Sequence, residues 1–127
     1  MMREILTHIV EGGPPTVAVF AEDELGPGGA PHHYEISLDH YEINSESKPI
    51  VSIDFQMGGV IKAGGINGVS HEALLAILID RLEYFQAGQF RSPLNESALR
   101  CARESLEYLQ RRTRKRIERG VEGRSVV

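Results

Sequence analysis

The chain has 127 residues, of which 41% are hydrophobic and 25% charged. These values are ordinary for a folded domain and exclude extensive disorder. The net charge of −4 argues against a protein that coats long nucleic acid, because such proteins carry a basic excess over a whole face. The longest apolar run, Ala73 to Ile79, is too short to span a bilayer, and the first residues lack the pattern of a signal peptide. We therefore expect a cytoplasmic protein with no membrane partner.

The first sixty residues predict strands and turns. Arg3–Val10 and Thr16–Phe20 are rich in residues that favour strands, and the Gly-Gly-Pro-Pro run between them predicts a hairpin turn. Two further strands are predicted at His33–Leu38 and Ile50–Met57, where apolar and polar residues alternate. Because every connection is short, the sheet is expected to be antiparallel, with about four strands.

The second half predicts two helices. Ser70 is a plausible N-cap of the first helix. Its predicted apolar face comprises Ala73, Leu74, Ile77, Leu78, Leu82 and Phe85. A loop over Ala87–Leu94 separates it from a second helix, which is expected to start with Asn95 as its cap and to end at Gly120. The predicted face of the second helix comprises Ala98, Leu99, Ala102, Ser105, Leu106 and Leu109.

These elements predict an α+β fold in a single domain over residues 1–127, with a β portion at 1–66 and a long αα-hairpin at 67–127. A helix of some 25 residues is about 37 Å long, which exceeds the width of a small sheet. Part of the hairpin should therefore pack against another subunit, so we predict a homodimer formed through the helical hairpins.

A cluster of basic residues near the end of the second helix is the sharpest chemical feature. Arg112 and Arg116 are four residues apart, so on a helix their guanidinium groups face the same way and can bind phosphate groups bidentately. The alternative is that the cluster is a solvated face, since basic residues are also favoured near a helix C-terminus by the helix dipole.

The predicted interhelical loop carries a second set of candidate residues. Phe85 and Phe90 can stack on a purine, and the Asn95 amide can bond to a base edge or a ribose hydroxyl. The alternative is that the two rings only pack the hairpin closed.

Other chemistry is weakly supported by the sequence. The histidines His32, His33 and His40 lie around one strand, but their spacing fits no strong zinc pattern, so no metal is expected. Cys101 is expected to be a small buried apolar residue. The glycine-rich stretches match no phosphate-binding loop, and no nucleophile or carboxylate pair is marked out. We therefore expect neither a cofactor nor an enzyme.

Five segments resemble the Thoeris anti-defence family of phage proteins. They are Met2–Gly12, Gly28–Ile36, Asn67–Ile77, Phe85–Phe90 and Arg112–Gly123. The last three are similar to a helical hairpin that this family shares with phage sponges acting against the cyclic-oligonucleotide signalling of CBASS defence.

The resemblance implies a non-enzymatic sponge in the host bacterial cytoplasm that sequesters glycocyclic ADP-ribose, the signal of Thoeris immunity. It also implies a homodimer that assembles further into a hexamer, a trimer of dimers. Some relatives also hold cyclic trinucleotides at separate sites, which would counter CBASS.

Carried over by position, the resemblance assigns ligand stacking to Phe85, a polar contact to Asn95 and phosphate binding to Arg112 and Arg116. The ligand's diphosphate would lie between the two arginines, and Asn95 would be supplied by the same or the partner subunit.

The sequence departs from the family pattern at two positions. Gln89 stands where a proline is common. Lys62 is the nearest basic residue where an arginine is expected near the end of the β region.

Two other functions stay open from the sequence. A hydrolase that degrades the signal would need a general base near the arginines, for which Glu96 and His71 are the candidates. A nucleic-acid-binding phage protein would use the basic helix end.

Overall fold

A computed structural model describes residues 2–38 and 49–123. It divides into two compact units, residues 1–68 and 69–127. The first contains the sheet and the second contains two helices, so the predicted α+β class is confirmed. His40 lies outside the described residues.

The sheet has four antiparallel strands in the order β1-β2-β3-β4. Their bounds are β1 Arg3–Ile5, β2 Ala18–Ala21, β3 His33–Ser37 and β4 Val51–Asp54. All four strands occur where the sequence predicted them but are shorter. β1 ends at Ile5, opposite Val19, because the chain then turns, with the Ile9 N–H donating to the Leu6 carbonyl at 3.1 Å.

The most buried residues of the first unit lie on β2, which pairs with a strand on each side. Ala18, Phe20 and Ala21 are almost fully buried. Tyr34 on β3 packs edge-to-face against Phe55, with ring centroids 5.6 Å apart, a favourable geometry for aromatic pairs. The core of this unit is therefore small and centred on one strand.

Asp23 secures the start of β3. Its carboxylate accepts hydrogen bonds from the backbone N–H groups of His32 and His33 at 3.0–3.1 Å. These backbone donors, that of His33 above all, lower the pKa of Asp23, because they favour its ionised form.

The two helices are α1, His71–Ala87, and α2, Pro93–Glu118. Ser70 caps α1 as predicted, with its hydroxyl accepting from the Ala73 N–H at 3.1 Å. The prediction that Asn95 caps α2 is wrong. Ser92 is the N-cap and accepts from the Asn95 N–H at 3.0 Å, and the proline that follows suits the first helical position because no N–H is needed there.

The predicted apolar face of α1 is partly wrong. Ile79 is the most buried residue of α1, whereas Ala73, Ile77 and Leu78 are exposed. The contact with α2 covers only one side of α1. Because α1 has apolar residues on more than one side, some of them stay exposed. Periodicity alone could not show which side would be covered.

The face of α2 also needs correction at two positions, and the separate expectation for Cys101 is wrong. Leu99 is buried, and Ala102, Leu106 and Leu109 are half-buried as predicted. Ala98 and Ser105 are exposed, and so is Cys101, which was expected to be buried. Cys101 follows Leu99 by two residues, a rotation of about 200° around the helix, so it lies on the opposite side.

Within the described part of the chain, neither helix has the length and apolarity needed to cross a membrane.

Candidate functional site

The four predicted ligand-binding residues lie at two ends of the helical hairpin. Phe85 and Asn95 lie next to the loop that connects α1 and α2, and Arg112 and Arg116 lie in the last two turns of α2. Arg112 is near Glu72 in the first turn of α1, and thirteen residues of helix separate Glu72 from Phe85, a length of about 20 Å. The structure therefore brings these residues together as two pairs within one chain.

The loop end of the hairpin contains a cluster of aromatic and polar groups. The Phe85 and Phe90 rings are tilted against each other, with centroids 6.1 Å apart. The Asn95 amide donates to the Phe90 carbonyl at 3.1 Å. The Arg81 guanidinium lies 5.0 Å from the centre of the Phe85 ring, within the range of a cation–π interaction. Sequence reasoning missed Arg81, although its spacing of four from Phe85 was a usable signal.

Gln86 links the end of α1 to the start of α2. Sequence reasoning did not identify this residue. Its side-chain oxygen accepts from the Ser92 N–H at 3.1 Å, and its amide donates to the Ser92 carbonyl at 3.2 Å. The amide also lies 3.1 Å from a carboxylate oxygen of Glu96. Gln86 and Ser92 thus close the loop by polar contacts. The Phe90 ring does not need to be buried to close it, since its residue is 67% exposed to solvent.

At the other end of the hairpin, Arg112 is loosely held. Its guanidinium lies 3.9 Å from Oε1 of Glu72 and its side chain is 56% exposed. That carboxylate oxygen is buried without a hydrogen-bond partner. The pair is thus close enough for attraction but too long for a hydrogen bond, which leaves Arg112 able to move.

Arg116 is held much more firmly. Its Nε donates to a Glu122 carboxylate oxygen at 3.0 Å, and its Nη2 donates to the Val121 carbonyl at 3.0 Å. Its side chain is only 21% exposed. The two arginines therefore differ in how firmly they are held, a difference that the sequence did not predict.

Arg112 and Arg116 lie on one face of α2, about 6 Å apart along its axis. Two guanidinium groups with this spacing can bind the two phosphates of one diphosphate. The preceding residue, Arg111, has a different environment, because it pairs with Glu107 at 3.2 Å and stacks 5.1 Å from the ring centre of Tyr108.

The sheet carries a separate group of charged side chains. His33 Nδ1 lies 2.6 Å from an Asp54 oxygen, and its Nε2 lies 3.2 Å from a Glu35 oxygen. Asp54 above all, and Glu35 next, raise the pKa of His33. Burial and the nearby Glu35 raise the pKa of Glu22. Among residues 2–38 and 49–123, no group of three or more possible ligands is arranged to hold a metal ion.

The fold places this chain in the class of α+β proteins in which an antiparallel meander precedes a long helical hairpin. Thoeris anti-defense 1 from Bacillus phage SBSphiJ7 is 35% identical over 124 residues, covering 83% of this chain and 87% of that protein. No protein-family model matches the chain. At this identity and coverage, the chain belongs to the Thoeris anti-defence family, as its resemblance predicted.

Proposed function

We propose that this protein counters bacterial Thoeris immunity as a sponge that binds glycocyclic ADP-ribose without cleaving it. Family membership supports the anti-Thoeris role, because the relative is named for it. The pair Arg112 and Arg116 on one face of α2 supports an anionic, phosphate-bearing ligand. The aromatic cluster around Phe85 supports a ligand with a purine base.

The predicted ligand-binding residues lie at two ends of the hairpin, and this observation supports a site that is shared between two subunits. Seventeen residues separate Asn95 from Arg112 on α2, a distance of about 26 Å. One cyclic molecule of an adenine, two riboses and a diphosphate is too short to contact both. In an antiparallel dimer of hairpins, however, the loop end of one subunit meets the arginine end of the other, so each ligand would bind between subunits.

The exposed side chains of the hairpin are consistent with such a dimer. Large apolar and aromatic residues remain in contact with solvent on both helices, including Ile77, Tyr84, Tyr108 and Ile117. Burying them against a second copy would release their apolar surface from water. We propose a homodimer as the working unit, with a trimer of dimers as a further assembly.

The distribution of charge disfavours nucleic acid as the ligand. General nucleic-acid binding depends on an accessible row of cations over a whole face. Here the net charge is −4 and the basic cluster lies at the end of α2, which suits a small anion better.

The hydrolase alternative is decided by the fate of the ligand rather than by distances within one chain. Glu96 lies at the loop end, where it is bonded to Gln86, and in the proposed dimer that end meets the arginines of the other subunit. His71 begins α1 at the arginine end, so each candidate base would lie near the ligand and the fate of the ligand must be measured.

Titration calorimetry with glycocyclic ADP-ribose isomers tests the proposal. We expect tight binding by the wild type and a loss of about tenfold or more in Arg112→Ala and Arg116→Ala, because each removes charged hydrogen bonds to phosphate. Arg111→Ala is the matched control and should bind as the wild type does. Cyclic trinucleotides are titrated in parallel as a second ligand class.

The ligand is then released by heat and identified by mass spectrometry. Recovery of intact ligand supports a sponge, while its steady conversion to a linear product would establish the hydrolase instead. Absence of binding to every isomer would refute the assigned ligand.

A further inference from the structure

The contacts of Arg116 suggest a role for the residues that follow α2. We propose that Glu122 is a positioning residue, which holds the Arg116 guanidinium in the orientation that binds phosphate. This inference rests on the proposed function, because it assigns a role to Glu122 within the same site.

The end of α2 brings Glu122 back towards the helix. The Gly120 N–H donates to the Ile117 carbonyl at 3.0 Å, and the Val121 N–H donates to the Arg116 carbonyl at 3.0 Å. This pair of bonds is a Schellman motif, which requires a residue in the left-handed conformation. Gly120 has φ +71°, which glycine adopts without steric cost. The reversed chain then places Glu122 beside a side chain six residues earlier.

Two acceptors from this reversed segment bind Arg116. The Glu122 carboxylate receives the Nε hydrogen bond and the Val121 carbonyl receives one from Nη2. A long side chain loses rotamer freedom when it binds a ligand, which costs free energy. Because these bonds already order Arg116 in the free protein, less of that cost remains when a phosphate binds.

A carboxylate beside the arginine need not exclude the ligand. A guanidinium is planar and carries five N–H donors, so one arginine can bind a carboxylate along one edge and a phosphate along another. The contrast with Arg112 supports a positioning role. Arg112 is more than half exposed and makes only a long contact with Glu72, so Arg116 is the arginine whose orientation is set before the ligand arrives.

Binding of glycocyclic ADP-ribose to Glu122→Gln and Glu122→Ala tests the inference. We expect affinity to fall by roughly three- to tenfold, more in the alanine variant, because an exposed charged hydrogen bond is worth about this much. Glu107→Gln is the matched control, since it removes the carboxylate that pairs with Arg111 at 3.2 Å, and it should leave affinity unchanged.

A double-mutant cycle separates positioning from a general structural effect. In an Arg116→Ala background, loss of Glu122 should cause no further loss of affinity, because there is no guanidinium left to orient. Additive losses, an unchanged affinity or tighter binding in Glu122→Gln would overturn the inference, the last because it would make Glu122 a competitor of the ligand.

NMR signals of the arginine Nε–H groups give a readout that does not depend on the nucleotide. We expect the Arg116 Nε–H to exchange slowly with solvent in the wild type and rapidly in Glu122→Ala. Its shift on addition of inorganic pyrophosphate should also weaken in that variant. If pyrophosphate behaves in this way while no isomer binds, the ligand assignment fails but the positioning role stands. If the isomers bind but the exchange and the shift of the Arg116 Nε–H are the same in Glu122→Ala as in the wild type, only the positioning role fails.

Discussion

His33 shows how a single side chain can depend on two charged neighbours. It bonds to Asp54 on β4 and to Glu35 on its own strand. Only the protonated imidazole can donate from both ring nitrogens. Both carboxylates therefore favour the charged form, which explains why the pKa of His33 is raised.

Replacing Asp54 by Asn should return the pKa of His33 towards its ordinary value of about 6.5, because the bond to Asp54 is the largest cause of the shift. An NMR pH titration of the imidazole protons measures this change directly. Asp80→Asn, which removes an exposed carboxylate from α1, is the control and should leave the titration unaltered. A His33 titration unaffected by the loss of Asp54 would contradict the assignment.

The same shift has a consequence for stability against pH. A group whose pKa is raised on folding stabilises the protein fully below its unfolded pKa, and this contribution is lost as the pH rises through the folded value. Urea unfolding should therefore show greater stability at pH 6 than at pH 8.5, with the difference reduced in Asp54→Asn. Because the His33 side chain is 31% exposed, solvent screening keeps the effect below about 1 kcal/mol.

At the scale of elements, the hairpin depends on how its loop begins α2. Ser92 caps the helix with its hydroxyl and exchanges two backbone hydrogen bonds with the Gln86 side chain. These contacts link the end of α1 to the start of α2. A loop of five residues, 88–92, is thereby ordered without a buried hydrophobic cluster of its own.

Ser92→Ala should lower the free energy of unfolding by about 1 kcal/mol, the usual cost of losing an N-cap hydroxyl. Thermal or urea unfolding followed by circular dichroism at a helix wavelength measures it. Ser105→Ala is the matched control, because Ser105 is exposed in the middle of α2 and alanine is the better helix former. Equal effects of the two substitutions would show that the Ser92 cap does not stabilise the helix.

At the scale of the whole molecule, the proposed site predicts complementation between subunits. Phe85→Ala and Arg116→Ala should each bind weakly alone. A mixed dimer of the two variants contains one site in which both residues are intact, if each site combines the loop end of one subunit with the arginine end of the other. Binding should therefore return at one of the two sites when differently tagged variants are co-expressed and purified together.

Calorimetric stoichiometry of the mixed dimer measures this recovery. Mixing Arg112→Ala with Arg116→Ala is the control, because both changes lie at the same end and every site of the mixed dimer then lacks one arginine. If the mixed dimer of Phe85→Ala and Arg116→Ala binds no better than either variant alone, the whole site lies within one subunit. If the wild-type protein sediments as a monomer, no site is shared between subunits.

Local patterns in the sequence were enough to predict several elements. Four short strands follow from alternation and turn residues, and Ser70 and Gly120 mark helix ends because a hydroxyl cap and a left-handed glycine each satisfy backbone groups locally. The spacing of Arg112 and Arg116 on one helical face is equally local. These features depend on residues within a turn or two of one another, so the linear order of the chain determines them.

Other features depended on which surfaces meet in space. The burial of Ile79 and the exposure of Ile77 depend on which side of α1 packs against α2, which periodicity does not specify. The loose hold on Arg112 is also tertiary, because its partner Glu72 lies across the hairpin. The sequence by itself determined the elements, their caps and the charged groups; packing decided which sides are buried and how Arg112 is held, because both require contacts between residues that local spacing cannot pair.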